Sequence, residues 1–389
     1  MSLGSWELPE ELRMVRDTAR RFMKNEVCPQ EEKLEHDAFE MPPEMLEPLR
    51  AKARQTGLWA YRTPLEYGGG GLNLLGQAVV AEEAARCRMG AYVPACGALG
   101  SDPPNAVLLG TPYQIERYAI PAVEKGKKCF VAISEPSGGA DPARAIRTRA
   151  EKKGDRYVLN GQKMWITGAA GADWGLVFAR TSAGGRGGIS CFIVDGNSKG
   201  MTTRAIPVIR SYYPYEIFFD DVEVPEENRL GEEGQGFALC EKWLVEGRIP
   251  YSAATIGIAQ AALEIAIEYS KTRETFGSKL SDKQAIQWMI ADSDMELRAA
   301  RLLTWQAAWR GDLGHNPKIE SSIAKVTATE TAGRVVDRAI QIMGGLGVSN
   351  ALPLERWYRE LRIRRIGEGP SEVQRMVVAR HLLSGGGRD

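Results

Sequence analysis

Histidine and cysteine are scarce in this chain of 389 residues. It contains three histidines and six cysteines, and no two cysteines form a CxxC pair. Scattered cysteines of this kind are typical of buried thiols in a reducing compartment, and they argue against a disulfide framework or a zinc site. The sequence also lacks a GxSxG motif, so a serine hydrolase is not expected.

The chain has no excess of charge of either sign and no long apolar run. Lys plus Arg number 50 and Asp plus Glu number 50, which gives a formal net charge of zero. A neutral chain has no global attraction to nucleic acid or anionic lipid. No run of 18 apolar residues and no signal-peptide pattern is present. We therefore expect a cytoplasmic protein that has neither nucleic acid nor membrane as a partner.

The usual nucleotide-binding signatures are missing as well. There is no GxGxxG opening a βαβ unit, no GxxxxGK[ST] loop and no Cys/His cluster with metal spacing. This absence favours chemistry by a carboxylate together with an organic cofactor. Proton abstraction by a lone glutamate at neutral pH requires a sheltered site that raises its pKa above about 4.3.

What the sequence does contain is a hydrophobic period that changes twice. Residues 1–127 follow a helical period, with one helix opening at a capping box on Thr111 and fading near Gly126. Residues 128–235 contain roughly seven short β segments, with Gly154 and Gly161 placed as hairpin turns. Residues 236–389 contain long amphipathic helices. The predicted fold is an all-α N-terminal domain, an antiparallel β-barrel or sandwich, and a C-terminal four-helix up-down bundle.

Five motifs in order make the chain resemble the acyl-CoA dehydrogenase family over nearly its whole length. They occupy residues 132–141, 160–167, 273–277, 341–347 and 367–375. The resemblance implies FAD-dependent α,β-desaturation of an acyl-CoA to the 2-enoyl-CoA, within fatty acid metabolism. It also implies electron transfer to electron-transfer flavoprotein and a homotetramer built as a dimer of dimers.

The resemblance further implies a role for each matching position. The residues that would line FAD are Ile133, Ser134, Trp165, Ile166 and Thr167 along the flavin, and Arg273, Thr275, Gln284, Gln341, Ile342, Met343, Gly344, Gly345, Ser371 and Glu372 along the pyrophosphate and adenosine. Those that would line the acyl-CoA are Ala140, Arg248, Gly367 and Gly369, with Arg248 facing the CoA portion.

Glu368 matches the catalytic base that removes the α-proton in this family. A branch of the family carries its base next to the CoA-facing arginine instead. That position is Gly247 here, so the alternative base is missing and Glu368 is favoured.

Several of these residues also have a purely structural explanation. Glu368 by itself would be a solvated charge in a turn, and Trp165 a strand aromatic. Gln284 could complete a capping box that starts at Ser281. The arginine at 273 could complement a helix dipole, and the glycine pair 344–345 could merely end a helix.

The departures from the family pattern bear on the substrate. They are Ala140 in place of a common Ser, Gly367 in place of Tyr or Leu, Pro370 in place of Thr or Ser, and the tyrosine-rich segment 210–216. Because Gly367 leaves space beside the base, one hypothesis is an acyl group that is branched, cyclic or aryl-substituted near the thioester. The alternative is that an aromatic side chain fills this space, with Tyr212, Tyr213 and Trp288 as candidates.

Two other functions remain open. An acyl-CoA oxidase or a flavin monooxygenase could use the same scaffold, although monooxygenase branches commonly lack the Glu base. A non-catalytic, DNA-associated flavoprotein of the family would need a basic surface, and the zero net charge argues against it.

Overall fold

The computed structural model describes residues 7–385 and divides into two compact units. The first unit is built from the chain up to Arg62, residues 72–99 and the chain from Val245 onwards. The second unit contains residues 63–71 and 100–244. The domain limits 1–127, 128–235 and 236–389 stay a prediction, because the two units are defined by packing and not by order along the chain.

The α-helices of residues 7–385 are, in chain order, α1 Glu10–Phe22, α2 Cys28–Glu31, α3 Pro43–Gln55, α4 Leu74–Ala84, α5 Pro112–Gln114, α6 Ile120–Lys125, α7 Pro142–Ala145, α8 Gly236–Thr272, α9 Gln284–Asp312, α10 Lys318–Met343, α11 Leu354–Arg364 and α12 Ser371–Leu383. Single π-helical turns occupy Met23–Val27 and Ile115–Ala119. Along this described part of the chain, no helix combines the length and apolar character that crossing a membrane would require.

The strands within the same residues are β1 Cys129–Ala132, β2 Arg149–Lys153, β3 Arg156–Thr167, β4 Trp174–Arg180, β5 Ile189–Asp195, β6 Met201–Ala205, β7 Pro214–Pro225, β8 Arg229–Leu230, β9 Glu274–Thr275 and β10 Ser278–Lys279. The second unit holds an eight-stranded sheet in the order β6-β7-β3-β2-β4-β5-β8, with β1 paired to β4. Its pairs are antiparallel except for β1 with β4 and one residue pair between β2 and β4.

The first unit packs around small buried residues on α8, α9 and α10. Their core positions include Ala259, Ala262, Ala266, Ala300, Ala307, Ala324, Ala328 and Ala332. Alanine at three- and four-residue spacing lets helix axes approach closely, so this C-terminal part forms the predicted helical bundle. Helix α8 begins at Gly236 and continues through Pro250.

One local prediction was wrong. Gly161 is not a hairpin turn, because β3 runs through it with a shift in register. A Cβ at Gly161 would lie 2.7 Å from Cα of Thr148, so glycine is required by a close backbone approach inside the sheet. Helix α11 is an addition to the four helices predicted for the C-terminal part. Arg356, Glu360 and Arg364 are buried there.

Candidate active site

Glu368 lies in a tight turn between α11 and α12. Glu368 has a φ of 54° and Gly369 a φ of 93°, so two successive residues adopt the left-handed region. A non-glycine residue in this region is uncommon and is retained only where its surroundings hold it. Pro370 then precedes the first residue of α12. The Gly-Glu-Gly-Pro sequence therefore fixes a turn that projects Glu368 from between two helices. We call residues 365–370 the Glu368 turn.

Buried cations from two other helices hold the backbone of the Glu368 turn. Lys325 of α10 is fully buried and its Nζ donates to the carbonyl oxygens of Arg365 at 3.1 Å and Gly369 at 2.9 Å. Arg248 of α8 donates from Nε to the carbonyl oxygen of Glu368 at 3.0 Å. Burial lowers the pKa of Lys325 to about 8. These three bonds stabilise the left-handed conformation of Glu368.

The carboxylate of Glu368 is sheltered and has a free acceptor. Its Oε2 atom is buried and has no hydrogen-bond partner among the described residues. Burial raises the pKa of Glu368, against the opposing attraction of Arg364, Arg248 and Arg62. A carboxylate that is disfavoured in its charged form and has an unused oxygen is suited to accept a proton.

Arg364 anchors the other side of this site. It is 2% exposed, donates from Nε to Oγ1 of Thr255 at 2.7 Å and from Nη2 to the carbonyl oxygen of Tyr251 at 2.7 Å. Its guanidinium carbon lies 3.5 Å from the centre of the Tyr251 ring. The arginine is therefore fixed by hydrogen bonds and by a cation–π contact.

Position 247 faces the same carboxylate, as the family's alternative base position implies. A Cβ built on Gly247 would lie 3.9 Å from Oε2 of Glu368. A second base at this position would therefore converge on the same point. Because residue 247 is a glycine, the carboxylate at this point comes from Glu368 and not from α8.

The space beside Gly367 is not open. A Cβ at Gly367 would lie 3.1 Å from the hydroxyl oxygen of Tyr251. Within the first unit, the hydroxyl group of Tyr251 therefore occupies this space, and Trp288 does not. Sequence reasoning missed Tyr251, and the bulky acyl group stays a hypothesis.

In the second unit, Trp165 is presented to the outside by an irregularity of β3. The register of β3 shifts between Lys163 and Ile166, and Trp165 adopts a φ of 66° with 52% of its surface exposed. Thr167 accepts a hydrogen bond at Oγ1 from Arg210 Nη2 at 3.1 Å. The side chain of Ile166 is buried in the sheet core, so it can contribute to a cofactor site only through its backbone.

A buried ion pair fixes the segment that carries Ile133 and Ser134. Lys163 is fully buried and its Nζ donates to Oε1 of Glu135 at 2.8 Å and to the carbonyl oxygen of Ile133 at 3.0 Å. Glu135 also accepts from the backbone N–H of Arg147 at 2.7 Å. Burial lowers the pKa of Lys163 to about 8. The partly exposed Ile133–Ser134 backbone is therefore held rigidly.

The first unit contains the residues expected to hold the pyrophosphate and adenosine. Arg273 is exposed directly after α8, next to the hairpin of β9 and β10, and Thr275 is partly buried in that hairpin. Gln284 is exposed and is the first residue of α9. The capping box starting at Ser281 is wrong, because Asp282 instead accepts from the N–H of Lys279 at 3.2 Å.

At the end of α10, some of the residues expected to contact FAD are buried and others are exposed. Ile342 and Met343 are 4% exposed and belong to the bundle core, whereas Gln341 is exposed. Gly344 ends the helix with φ 59° and ψ −135°, which explains its glycine by backbone geometry alone. Gly345 has no positive φ, and a Cβ there would meet nothing within 4 Å. Its lack of a side chain is therefore not required by the described chain and fits close approach of another group.

The remaining predicted residues lie in different surroundings. Ser371 is buried and its hydroxyl donates to the carbonyl oxygen of Arg365 at 3.4 Å, which ties it to the Glu368 turn. Glu372 is exposed and is the member of this pair that can reach an external ligand. Ala140 is exposed in the second unit.

These groups fit the chemistry of FAD. The second unit offers an exposed indole for a planar ring system and a hydroxyl at Thr167. The first unit offers the exposed guanidinium of Arg273 and the accessible backbone of Gly344 and Gly345 for phosphate oxygens.

Comparisons with known proteins show the family to which the chain belongs. Models of the acyl-CoA dehydrogenase N-terminal, middle and C-terminal domains match residues 9–126, 130–222 and 234–383. The short-chain specific acyl-CoA dehydrogenase of Rattus norvegicus is 37% identical over 385 residues, covering 97% of this chain and 92% of its own. The caffeyl-CoA reductase-Etf complex subunit CarC of Acetobacterium woodii is 37% identical over 381 residues, covering 96% and 98%. The structure of butyryl-CoA dehydrogenase from Megasphaera elsdenii superposes with a TM-score of 0.86 at 33% identity, covering 97% and 100%.

Proposed function

The chain belongs to the acyl-CoA dehydrogenase family of FAD-dependent oxidoreductases that act on a CH–CH group, and we propose that it desaturates short-chain acyl-CoA thioesters with Glu368 as the general base. The observation that carries this proposal is the buried, partnerless Oε2 of Glu368 on a turn held by Lys325 and Arg248.

In this proposal Glu368 takes the α-proton of the thioester onto Oε2. The lost proton leaves an enolate-like charge on the thioester oxygen, which the backbone N–H of Glu368 stabilises by donation, as the family resemblance implies. Arg248 and Lys325 keep the turn in place while the carboxylate gains its proton.

FAD would supply the hydride acceptor for the β-hydrogen, whose departure completes the double bond. Trp165, Thr167 and the Ile133–Ser134 backbone would hold its flavin ring. Arg273, Gln284, Gly345 and the other matching residues would hold its phosphates and adenosine. The site roles of all these residues are proposals that mutation and flavin content can test.

We expect the activity to fall as the pH is lowered, at a higher pH than for an enzyme whose base is a glutamate with an ordinary pKa. Glu368 must be ionised to accept a proton, and burial raises its pKa above 4.5. The value of kcat/KM should therefore fall as the pH is lowered through this raised pKa, with the midpoint above 4.5. Steady-state rates with butyryl-CoA between pH 4.5 and 9, after a stability check at each pH, measure it. A flat profile down to pH 4.5 contradicts the proposed base.

For the electron acceptor we propose electron-transfer flavoprotein, and we place an oxidase second. The relative from Acetobacterium woodii is named as a subunit of a complex with Etf, which supports this choice. Adding acyl-CoA under anaerobic conditions should bleach the flavin at once. Exposure to air should then restore the oxidised spectrum slowly, whereas electron-transfer flavoprotein should restore it quickly. Rapid peroxide formation in air would favour the oxidase.

We also propose a homotetramer and a cytoplasmic location. In the first unit, large apolar side chains stand exposed, including Phe276 at the tip of the β9–β10 hairpin, Trp288 at 61% and Val348 at 66%. Burying such groups between subunits is favourable. The location rests on the free cysteines.

Light scattering coupled to size-exclusion chromatography should give the mass of four chains with flavin absorbance under the same peak. Phe276→Ser should shift the protein to smaller species with less flavin, while Leu65→Ser, at another exposed apolar position in the second unit, should not. A wild-type monomer that retains FAD contradicts the tetramer.

A further inference from the structure

Helix α8 presents two residues one turn apart to the Glu368 turn. Gly247 faces the carboxylate, since its Cβ would lie 3.9 Å from Oε2 of Glu368. Tyr251, four residues later on the same helix face, places its hydroxyl 3.1 Å from where a Cβ of Gly367 would be. The space beside position 367 is therefore occupied by the hydroxyl end of a ring on α8, and not by a side chain of the residue that precedes the base.

The Tyr251 ring is fixed in this position. Its hydroxyl donates to the carbonyl oxygen of Arg364 at 3.1 Å, and its own carbonyl oxygen accepts from Arg364 Nη2 at 2.7 Å. The guanidinium carbon of Arg364 lies over the ring at 3.5 Å from its centre. Arg364 is in turn held by Thr255 at 2.7 Å. A ring held at its edge, its face and its backbone cannot swing aside to admit a larger ligand.

We propose that Tyr251 is the specificity-determining residue of this site and limits the acyl group beside the reacting carbons to unbranched chains. It supplies from α8 the bulk that the glycine at 367 lacks. This inference rests on the proposed function, because it assumes that the acyl group lies next to Glu368. It names linear acyl-CoA thioesters such as butyryl-CoA as the substrate class and excludes aryl-substituted ones.

The first experiment replaces the ring. With purified holoenzyme, kcat/KM is measured for butyryl-CoA and 3-phenylpropanoyl-CoA in the wild type, Tyr251→Leu and Tyr251→Phe. Wild type should prefer butyryl-CoA by about tenfold or more, and Tyr251→Leu should move the ratio at least about tenfold towards the aryl substrate, the scale of a pocket contact. Tyr251→Phe keeps the ring and its contact with Arg364, so its ratio should stay within about threefold of the wild type.

The second experiment tests whether positions 251 and 367 share one space. Gly367 has no positive φ, so Gly367→Ala is hindered only by the Tyr251 hydroxyl. Gly367→Ala should lower kcat/KM for butyryl-CoA. Combining it with Tyr251→Phe, which removes the hydroxyl, should restore most of the loss. Strictly additive effects would show that the two positions are independent and would overturn the inference.

The outcomes separate this inference from the proposed function. If the wild type oxidises no acyl-CoA, the proposed function fails and the inference falls with it. If the wild type oxidises butyryl-CoA but Tyr251→Leu keeps the wild-type substrate ratio at full flavin content, only the inference fails. A wild type that prefers the aryl substrate also overturns it. Flavin content and thermal melting of each variant distinguish a changed pocket from a damaged fold.

Discussion

Glu368→Gln should lower turnover by at least about 10²–10⁴-fold, the usual contribution of a general base, and leave binding of FAD and of CoA ligands intact. Glutamine has the same size and polarity, so it can occupy the turn whose backbone carbonyl oxygens accept hydrogen bonds from Lys325 and Arg248. What it lacks is a carboxylate oxygen able to accept the α-proton. The measurement is single-turnover bleaching of the flavin by butyryl-CoA, with ligand affinity taken from the flavin spectrum.

Two controls make this experiment specific. Glu268→Gln changes an exposed carboxylate on α8, which pairs with the surface lysine Lys271, and should leave the rate unaltered. Glu368→Asp keeps a carboxylate but shortens it, so it should fall between the wild type and the glutamine variant. If the flavin of the Glu368→Gln variant bleached at a near-native rate, Glu368 would not be the general base, and another group would have to accept the proton.

Lys163→Met should destabilise the second unit by about 3–5 kcal/mol, the cost of leaving a buried charge without its partner. Lys163 is fully buried against Glu135, which is 5% exposed. The lysine and the backbone N–H groups of Arg147 and Thr148 together hold the pKa of Glu135 below its usual value although burial opposes this. Without the lysine, Glu135 remains in the sheet with less compensation, and the carbonyl of Ile133 loses a donor.

Denaturant unfolding followed by the near-UV signal and flavin release measures this effect. The double variant Lys163→Met with Glu135→Leu removes both charges and should recover much of the lost stability. Lys152→Met breaks an exposed ion pair between β2 and Glu226 and should unfold close to the wild type. If Lys163→Met matched Lys152→Met, the buried pair would not be what holds the Ile133–Ser134 segment.

Those features that depend on neighbouring residues could be predicted from the sequence. The capping box on Thr111 is present. The backbone N–H of Gln114 donates to Oγ1 of Thr111 at 3.3 Å, and Oε1 of Gln114 accepts from the backbone N–H of Thr111 at 3.0 Å. The α, β, α order of the chain was also evident from its hydrophobic period. Gly154 turns between β2 and β3 as predicted, with a φ of 65°.

Features that depend on residues distant in the sequence could not be predicted from it. The glycine at 161 is dictated by the backbone of Thr148, far along the chain and just before the neighbouring strand β2, so local sequence alone placed a turn there. Tyr251 became part of the site only because α8 passes the Glu368 turn. Lys325 offered a faint signal, since it stands in the alanine stripe of α10 between Ala324 and Ala328. A lysine on a core face is a candidate for a buried polar contact.

Because Lys325 is buried, its chemical reactivity can be used to measure opening of the site in solution. An amine-reactive reagent can modify its Nζ only after the bonds to Arg365 and Gly369 break and the ammonium reaches water. The rate at which this lysine is labelled in the folded protein therefore reports how often the turn that carries Glu368 opens. Ligands that require the closed turn should slow the labelling of Lys325. The exposed lysines of the same chain should react at an unchanged rate and serve as an internal reference.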